Sequence, residues 1–330
     1  MEAPVDIRLG EPMMKSKKRE IAGGISQFLA AVVLVAIAVL SLNASSPGSN
    51  NSTQTSFASP EEAGNALRGA AQNQDEAALA KILGPDSKVF LSSGDSNEDK
   101  AALQDFVAKY DLMRRWVVMT NGSEILNIGP DNYPFPIPLV KDSSSKWYFD
   151  TKAGAEEVLA RRIGRNEIMA IDACSAIANA EETYSQASHD GNPKGLYTVK
   201  IFSTPGKQDG LYWEVPQSQD ASPLGRVEDF AKDALLTPNE APVIDGYSFR
   251  ILTAQGSKAT GGAKQYIVNG KLTGGFAVIA TPVKYRESGI KTFIISQQGI
   301  VFERDLGADT EKAAAAIHEY NPTSAWKPVS

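Results

Sequence analysis

The chain has 330 residues, with 42% hydrophobic and 22% charged side chains and a formal net charge of −6. That length allows about two domains with real cores, and the anionic balance provides no basic field for nucleic acid. A single cysteine (Cys174) excludes an intramolecular disulfide, and two distant histidines (His189 and His318) weigh against metallohydrolases and histidine-based triads.

Residues 1–20 form a basic segment, read as cytoplasmic, with Lys15, Lys17, Lys18 and Arg19 crowded near its end. From Ile21 to Pro60 no charged residue occurs, and Ile21 to Leu42 is apolar enough for hydrocarbon. As a helix it would span roughly 33 Å against a bilayer core of ~30 Å. The flanking positive charges predict an N-in, C-out orientation, so everything after residue 43 is expected to be exported. Residues 21–43 are read as a transmembrane anchor in the inner membrane, with a cleaved signal sequence and secretion as the alternative. Residues 44–59, rich in Ser, Asn and Thr, read as a flexible linker.

Structure is predicted to start at Ser59–Pro60, where a cap residue, a proline and two acids open a helix over "PEEAGNALRGAAQ". A second helix, "DEAALAKILG", ends on Gly84. A third, "SNEDKAALQDFVAKYDL", carries Ala102, Leu103, Phe106, Val107 and Tyr110 on one stripe. Strands follow at "RRWVVMT", "EILNIG", "PIPLVK" and "KWYFDT". Helices and then an antiparallel meander make residues 60–164 an α+β domain, cone-like by element order.

Residues 165–330 are read as a second α+β domain, opened by the helix "RNEIMAIDACSAIANAEETY". Ile163, Ala170, Cys174, Ile177, Ala180 and Tyr184 share one of its faces, which places Cys174 in a core. Strands are expected at "LYTVKIF", "YSFRILTAQ", "GFAVIATPV", "GIKTFIIS" and "GIVFERD", with helices at "GRVEDFAKDALL" and "TEKAAAAIHEYN".

Residues 134–140 (PFPIPLV), 147–154 (WYFDTKAG), 161–167 (RRIGRNE), 203–213 (STPGKQDGLYW), 247–256 (YSFRILTAQG) and 266–285 (YIVNGKLTGGFAVIATPVKY) carry a resemblance to a bacterial family, domain of unknown function 2950. The resemblance runs from about residue 56 to the C-terminus and implies an exported protein, with no assigned catalytic residues. Asn166, Glu167, Ala170, Ile171, Cys174, Ile177, Ala180 and Tyr184 also resemble the first helix of type IV pilins and pseudopilins beyond the membrane stalk. That resemblance implies a head with one helix across an antiparallel sheet. Glu156, Glu157, Arg161, Arg162 and Arg165 stand where the apolar stalk would be, so assembly through that helix is not implied.

No GxSxG, GxGxxG, P-loop or HExxH occurs, so no catalytic residue, cofactor or metal ligand is named. "HDGNPKG" offers too few acids for calcium and reads as a turn. Two clusters are binding candidates. Arg162 or Arg165 could clamp a carboxylate, although interdomain salt bridges are the simpler explanation. Lys207, Asp209, Tyr212 and Trp213 share a Gly-rich loop in which Gly210 permits a reversal, so their side chains are expected to converge. The resulting expectation is a membrane-tethered, non-enzymatic binding or assembly module with an envelope protein as partner. A small-ligand receptor or enzyme is the alternative, with a cleft lined by Tyr133, Phe135 and Trp147.

Overall fold

The computed structural model describes residues 54–84, 87–91, 96–214, 222–225 and 241–329. The chain separates into two compact units, one ending at Phe149 and the other starting at Asp150.

In the first unit, α1 (Pro60–Gln72) starts where its cap signals lie: Ser59 Oγ accepts the Glu62 N–H, and Glu62 reaches back to the Ala58 N–H. Asp75 caps α2 (Glu76–Leu83) through the Ala78 N–H, and Gly84 closes it with φ +89°. A four-residue helix, α3 (Lys88–Leu91), precedes α4 (Ser96–Leu112). Leu103, Phe106, Val107 and Tyr110 of α4 face the core, whereas Ala102 is exposed.

Five strands follow: β1 (Arg114–Val118), β2 (Glu124–Ile128), β3 (Tyr133–Pro134), β4 (Leu139–Lys141) and β5 (Trp147–Phe149). They form an antiparallel sheet in the order β1-β2-β4-β5, with β3 also on β2. The strand expected over "PIPLVK" is cut to its last three residues. Pro136 and Pro138 have no N–H for a ladder, which leaves only Leu139–Lys141 to pair. Residues 54–58, expected in the flexible linker, lie along the sheet. Phe57 exchanges backbone hydrogen bonds with Trp147, and Gln54 donates to the Ile82 and Phe149 carbonyls. Phe57 is the one aromatic in that polar stretch, and burying it fixes the segment.

The second unit opens with α5 (Thr151–Ser185), a single helix of 35 residues capped by Asp150. The domain boundary expected between 164 and 165 falls inside it. Gly164 alone costs a helix only about 1 kcal/mol, and no proline interrupts the run. The described elements that follow are β6 (Val243–Ile244), β7 (Tyr247–Leu252), β8 (Ala254–Gln255), β9 (Lys264–Gln265), β10 (Ile267–Val268), β11 (Lys271–Leu272), β12 (Ala277–Pro282), β13 (Lys291–Ser296), β14 (Phe302–Asp305), α6 (Thr310–Ala315) and β15 (Lys327–Pro328). The main sheet runs β15-β14-β13-β12-β7-β6, antiparallel throughout.

Helix α5 packs on β12 and β13, and α6 on β12. β12 and β13 are buried almost without a break, so they read as apolar runs rather than as alternating strands. Asn166 donates to the Ser288 carbonyl, and the Glu167 carboxylate accepts the N–H groups of Ile290 and Lys291. These bonds pin α5 to the turn ahead of β13.

Three further expectations need correction or placement. "LYTVKIF" is not a strand, because its backbone donors are bonded elsewhere: Tyr197 to Leu272, Thr198 to Glu181 and Lys200 to Thr198 Oγ1. The last helix stops at Ala315. The helix expected over 225–236 lies, beyond Gly225, outside the described residues.

Among the described residues the fold is α+β, helices against antiparallel sheets, and the membrane helix that the sequence pattern predicts is not found among them. No helix among the described residues is long and apolar enough to cross a membrane, and residues 21–43 lie outside those residues. Helix α5 has the length, but Glu156, Glu157, Arg161, Arg162, Arg165 and Glu167 make it unfit for hydrocarbon.

Cys174 is fully buried on the α5 stripe, and burial pushes its thiol well above the usual range. Native-state labelling with a maleimide should therefore be slow and should become fast on unfolding. Fast labelling of the native chain would contradict the burial. Cys174→Ala should cost about 1 kcal/mol in a denaturant titration.

Candidate functional site

The C-terminal end of α5 and the loop over residues 186–213 concentrate the polar chemistry of the second unit. On α5, Ile177, Glu181 and Tyr184 follow one face by steps of four and three, so the helix carries an acid straight into the core. Glu181 is 0% exposed. One of its oxygens accepts the Thr198 N–H at 3.0 Å, and the other has no hydrogen-bond partner among the described residues. Burial raises its carboxyl to about 8; the Thr198 N–H opposes that rise and Glu182 adds to it.

Thr198 joins the helix to the loop. Its hydroxyl donates to the Asp209 carbonyl at 2.7 Å and accepts the Lys200 N–H. Desolvation works to raise the Asp209 carboxyl, but Lys200 Nζ at 2.6 Å and both the N–H and the hydroxyl of Thr204 outweigh it and hold it near 2. Asp190 accepts the Gln208 N–H at 2.7 Å. The backbone closes the loop where Ser203 donates to the Tyr212 carbonyl and Tyr212 to the Ile201 carbonyl.

Aromatic rings cover one side. The His189 ring stacks on Tyr184 at 4.0 Å between centroids, and Trp213 lies 5.5 Å from His189. His189 Nε2 is 3.0 Å from the Tyr184 carbonyl, which can only accept, so Nε2 carries the proton. Nδ1 is buried and has no hydrogen-bond partner among the described residues. The Tyr184 hydroxyl donates to the Gln208 carbonyl. Burial first, then Asp209, Glu181 and Asp190, raise its phenol to about 12.

The expected convergence of Lys207, Asp209, Tyr212 and Trp213 is only partial. Asp209 pairs with Lys200, while Lys207 stays exposed at the loop tip. Tyr212 packs edge-on against Phe202 and Trp213 on His189, both half-buried. Gly210 serves close approach rather than reversal: a Cβ there would lie 2.6 Å from Ser203 N and 2.7 Å from the Phe202 carbonyl carbon. Arg162 and Arg165 are exposed on α5, about 28 and about 24 Å along the helix axis from Glu181, so they do not join this cluster. Arg161, not Arg162, pairs with Glu157.

The family model described as "Protein of unknown function (DUF2950)" matches residues 54–329. The chain belongs to the DUF2950 family. No curated protein and no solved structure matches it. For this DUF2950 chain, the pilin comparison therefore rests on sequence alone.

Sequence reasoning passed over Glu181, Tyr184, His189 and Thr198 as site residues. The signal for Glu181 was present: it stands seven residues after Cys174 and four after Ile177, an acid on an otherwise apolar stripe. Nothing local marks Thr198, whose partners Glu181 and Asp209 are 17 and 11 residues away, or the contact of His189 with Trp213.

Proposed function

We propose that this DUF2950 protein is an exported binding module of the cell envelope, and that its partner-facing surface is the loop that ends at Trp213. The observation that carries this reading is the bracing of that loop. It has little regular structure, yet Asp190, Thr198, Asp209 and Ser203 hold it through hydrogen bonds to its own backbone and side chains. A loop fixed in advance loses little freedom on binding, and it offers an exposed cation, Lys207, and a half-buried indole, Trp213, within one stretch of seven residues.

Binding suits Asp209 and Tyr184 better than proton transfer does, and Glu181, the one near 8, is fully buried. Asp209 and the Tyr184 hydroxyl are committed to holding the loop, and their shifts take both away from neutrality. The residues named for a cleft in the first unit support the same side. Trp147 is buried in that core, and Phe135 lies 5.5 Å from Phe106 and 6.1 Å from Phe149. Support for export comes from the charge-free run over residues 21–60 behind four basic residues.

A photo-crosslinking residue at position 207, in intact bacteria, should yield a discrete adduct with an envelope protein, and Trp213→Ala should abolish it. A C-terminal alkaline phosphatase fusion should be active. Absence of any adduct, or one indifferent to Trp213→Ala, rejects the loop as the surface. An inactive fusion rejects export.

A further inference from the structure

The outer strands of the two larger sheets are unequal. In the second unit the outer strands β6 and β15 are two residues each. In the first unit β5 is closed by Phe57, which bonds Trp147 in both directions. β1 is different: five residues long, paired among the described residues only with β2, and without proline or bulge. Natural proteins shorten or cover such an edge unless it is used.

The pairing with β2 shows which groups face outward. Met119 donates to Ser123, and Gly129 donates to Met113. Positions 113, 115, 117 and 119 therefore bond inward. By the alternation of an antiparallel ladder, Arg114, Trp116 and Val118 turn their N–H and C=O groups to the open edge. Apolar side chains stand exposed at both ends of that edge: Leu112 (70%), Met113 (41%), Val118 (70%) and Met119 (45%).

These positions are arranged about Trp116 in a self-complementary way. A two-fold axis through Trp116, with a second copy adding its own β1 antiparallel, sets Met113 against the partner's Met119. It also sets Arg114 against the partner's Val118 and Arg115 against the partner's Val117. No arginine meets an arginine, and the exposed methionines cover each other. Because Val118 pairs with Glu124 on β2, each Arg114 also shares a face and a row with the partner's Glu124, across one valine. Sliding the register by two residues toward the N-terminus would oppose Arg115 to itself. We infer that β1 is a homodimer interface, joining the first-unit sheets of two copies into one continuous antiparallel sheet with Trp116 on the axis. An isologous contact of this kind is closed, so it ends at two copies.

Disulfide trapping of the full-length chain in mild detergent tests the register. Cys174 is buried and does not interfere. The double variant R115C/V117C should oxidise mostly to a covalent dimer, whereas R115C or V117C alone should not exceed the wild type. Adding V118P removes one outward N–H while leaving every β1–β2 bond intact, and should abolish the dimer with unchanged circular dichroism. Independently, hydrogen exchange at Arg114, Trp116 and Val118 should slow as protein concentration rises. The interface is refuted if the double variant crosslinks no better than the singles. It is equally refuted by protection of those three amides in a chain that sediments as a monomer, which would mean that another segment of the same chain covers the edge.

Discussion

Glu181→Gln should change the pH dependence of stability more than any other single substitution in the second unit. The folded carboxyl titrates near 8 against an ordinary 4.5. Below pH 4.5 both folded and unfolded forms are protonated, and the residue costs nothing extra. Between 4.5 and 8 the unfolded chain loses its proton while the folded one keeps it, so stability falls as pH rises. Above about 8 the penalty levels off, with a buried carboxylate that has one hydrogen bond and Glu182 as a neighbour. Glutamine does not titrate and preserves an oxygen for the Thr198 N–H. Between pH 5 and pH 8 the variant should therefore gain roughly 2–4 kcal/mol relative to the wild type. Denaturant titrations of both proteins at several pH values measure this directly, and parallel curves would show that Glu181 is solvated.

Gly210→Ala should be the most damaging small substitution in the loop. The added methyl meets backbone, Ser203 N and the Phe202 carbonyl group, which cannot rotate aside. The loop must open at the point where Ser203 bonds the Tyr212 carbonyl and Leu211 bonds the Ile201 carbonyl. A loss of about 2–3 kcal/mol is expected. Gly206 is the internal control. Its φ is +78° with nothing within 4 Å of where a methyl would sit, so alanine there should cost only the left-handed strain of about 1–2 kcal/mol. Equal destabilisation at the two positions would falsify the assignment of Gly210 to close packing.

If the loop is a binding surface, Gly210→Ala should also weaken the adduct trapped from position 207, because Asp209 and Tyr212 flank the displaced backbone. Asp209 loses its Thr204 and Lys200 contacts only when the loop opens. Structure and recognition are thus coupled through one glycine, and Gly206→Ala, whose methyl meets nothing within 4 Å, separates the two.

Local chemistry was enough to place many of the elements. Ser59 with Pro60 and Asp75 with Gly84 mark helix ends because caps and breakers act within three or four residues. The stripe from Ile163 to Tyr184 was legible for the same reason: its period is that of the helix it belongs to. The apolar runs of β7, β12 and β13 announced buried strands, and specific strings along the chain carried the family.

What the sequence alone determined was therefore whatever a residue's near neighbours can decide: caps, periodicity and the apolar runs of the sheet. The tertiary structure decided the rest. It made α5 one helix across Gly164, because packing on β12 and β13 outweighs a glycine's local cost. It denied residues 196–202 a strand, because Glu181 and Leu272 take the donors that a ladder would have used. It paired Asp209 with Lys200 rather than Lys207, and set His189 between Tyr184 and Trp213. Each of these choices depends on groups distant in sequence but adjacent in space, and burial of an acid such as Glu181 acquires its energetic meaning only when the fold has removed the water around it.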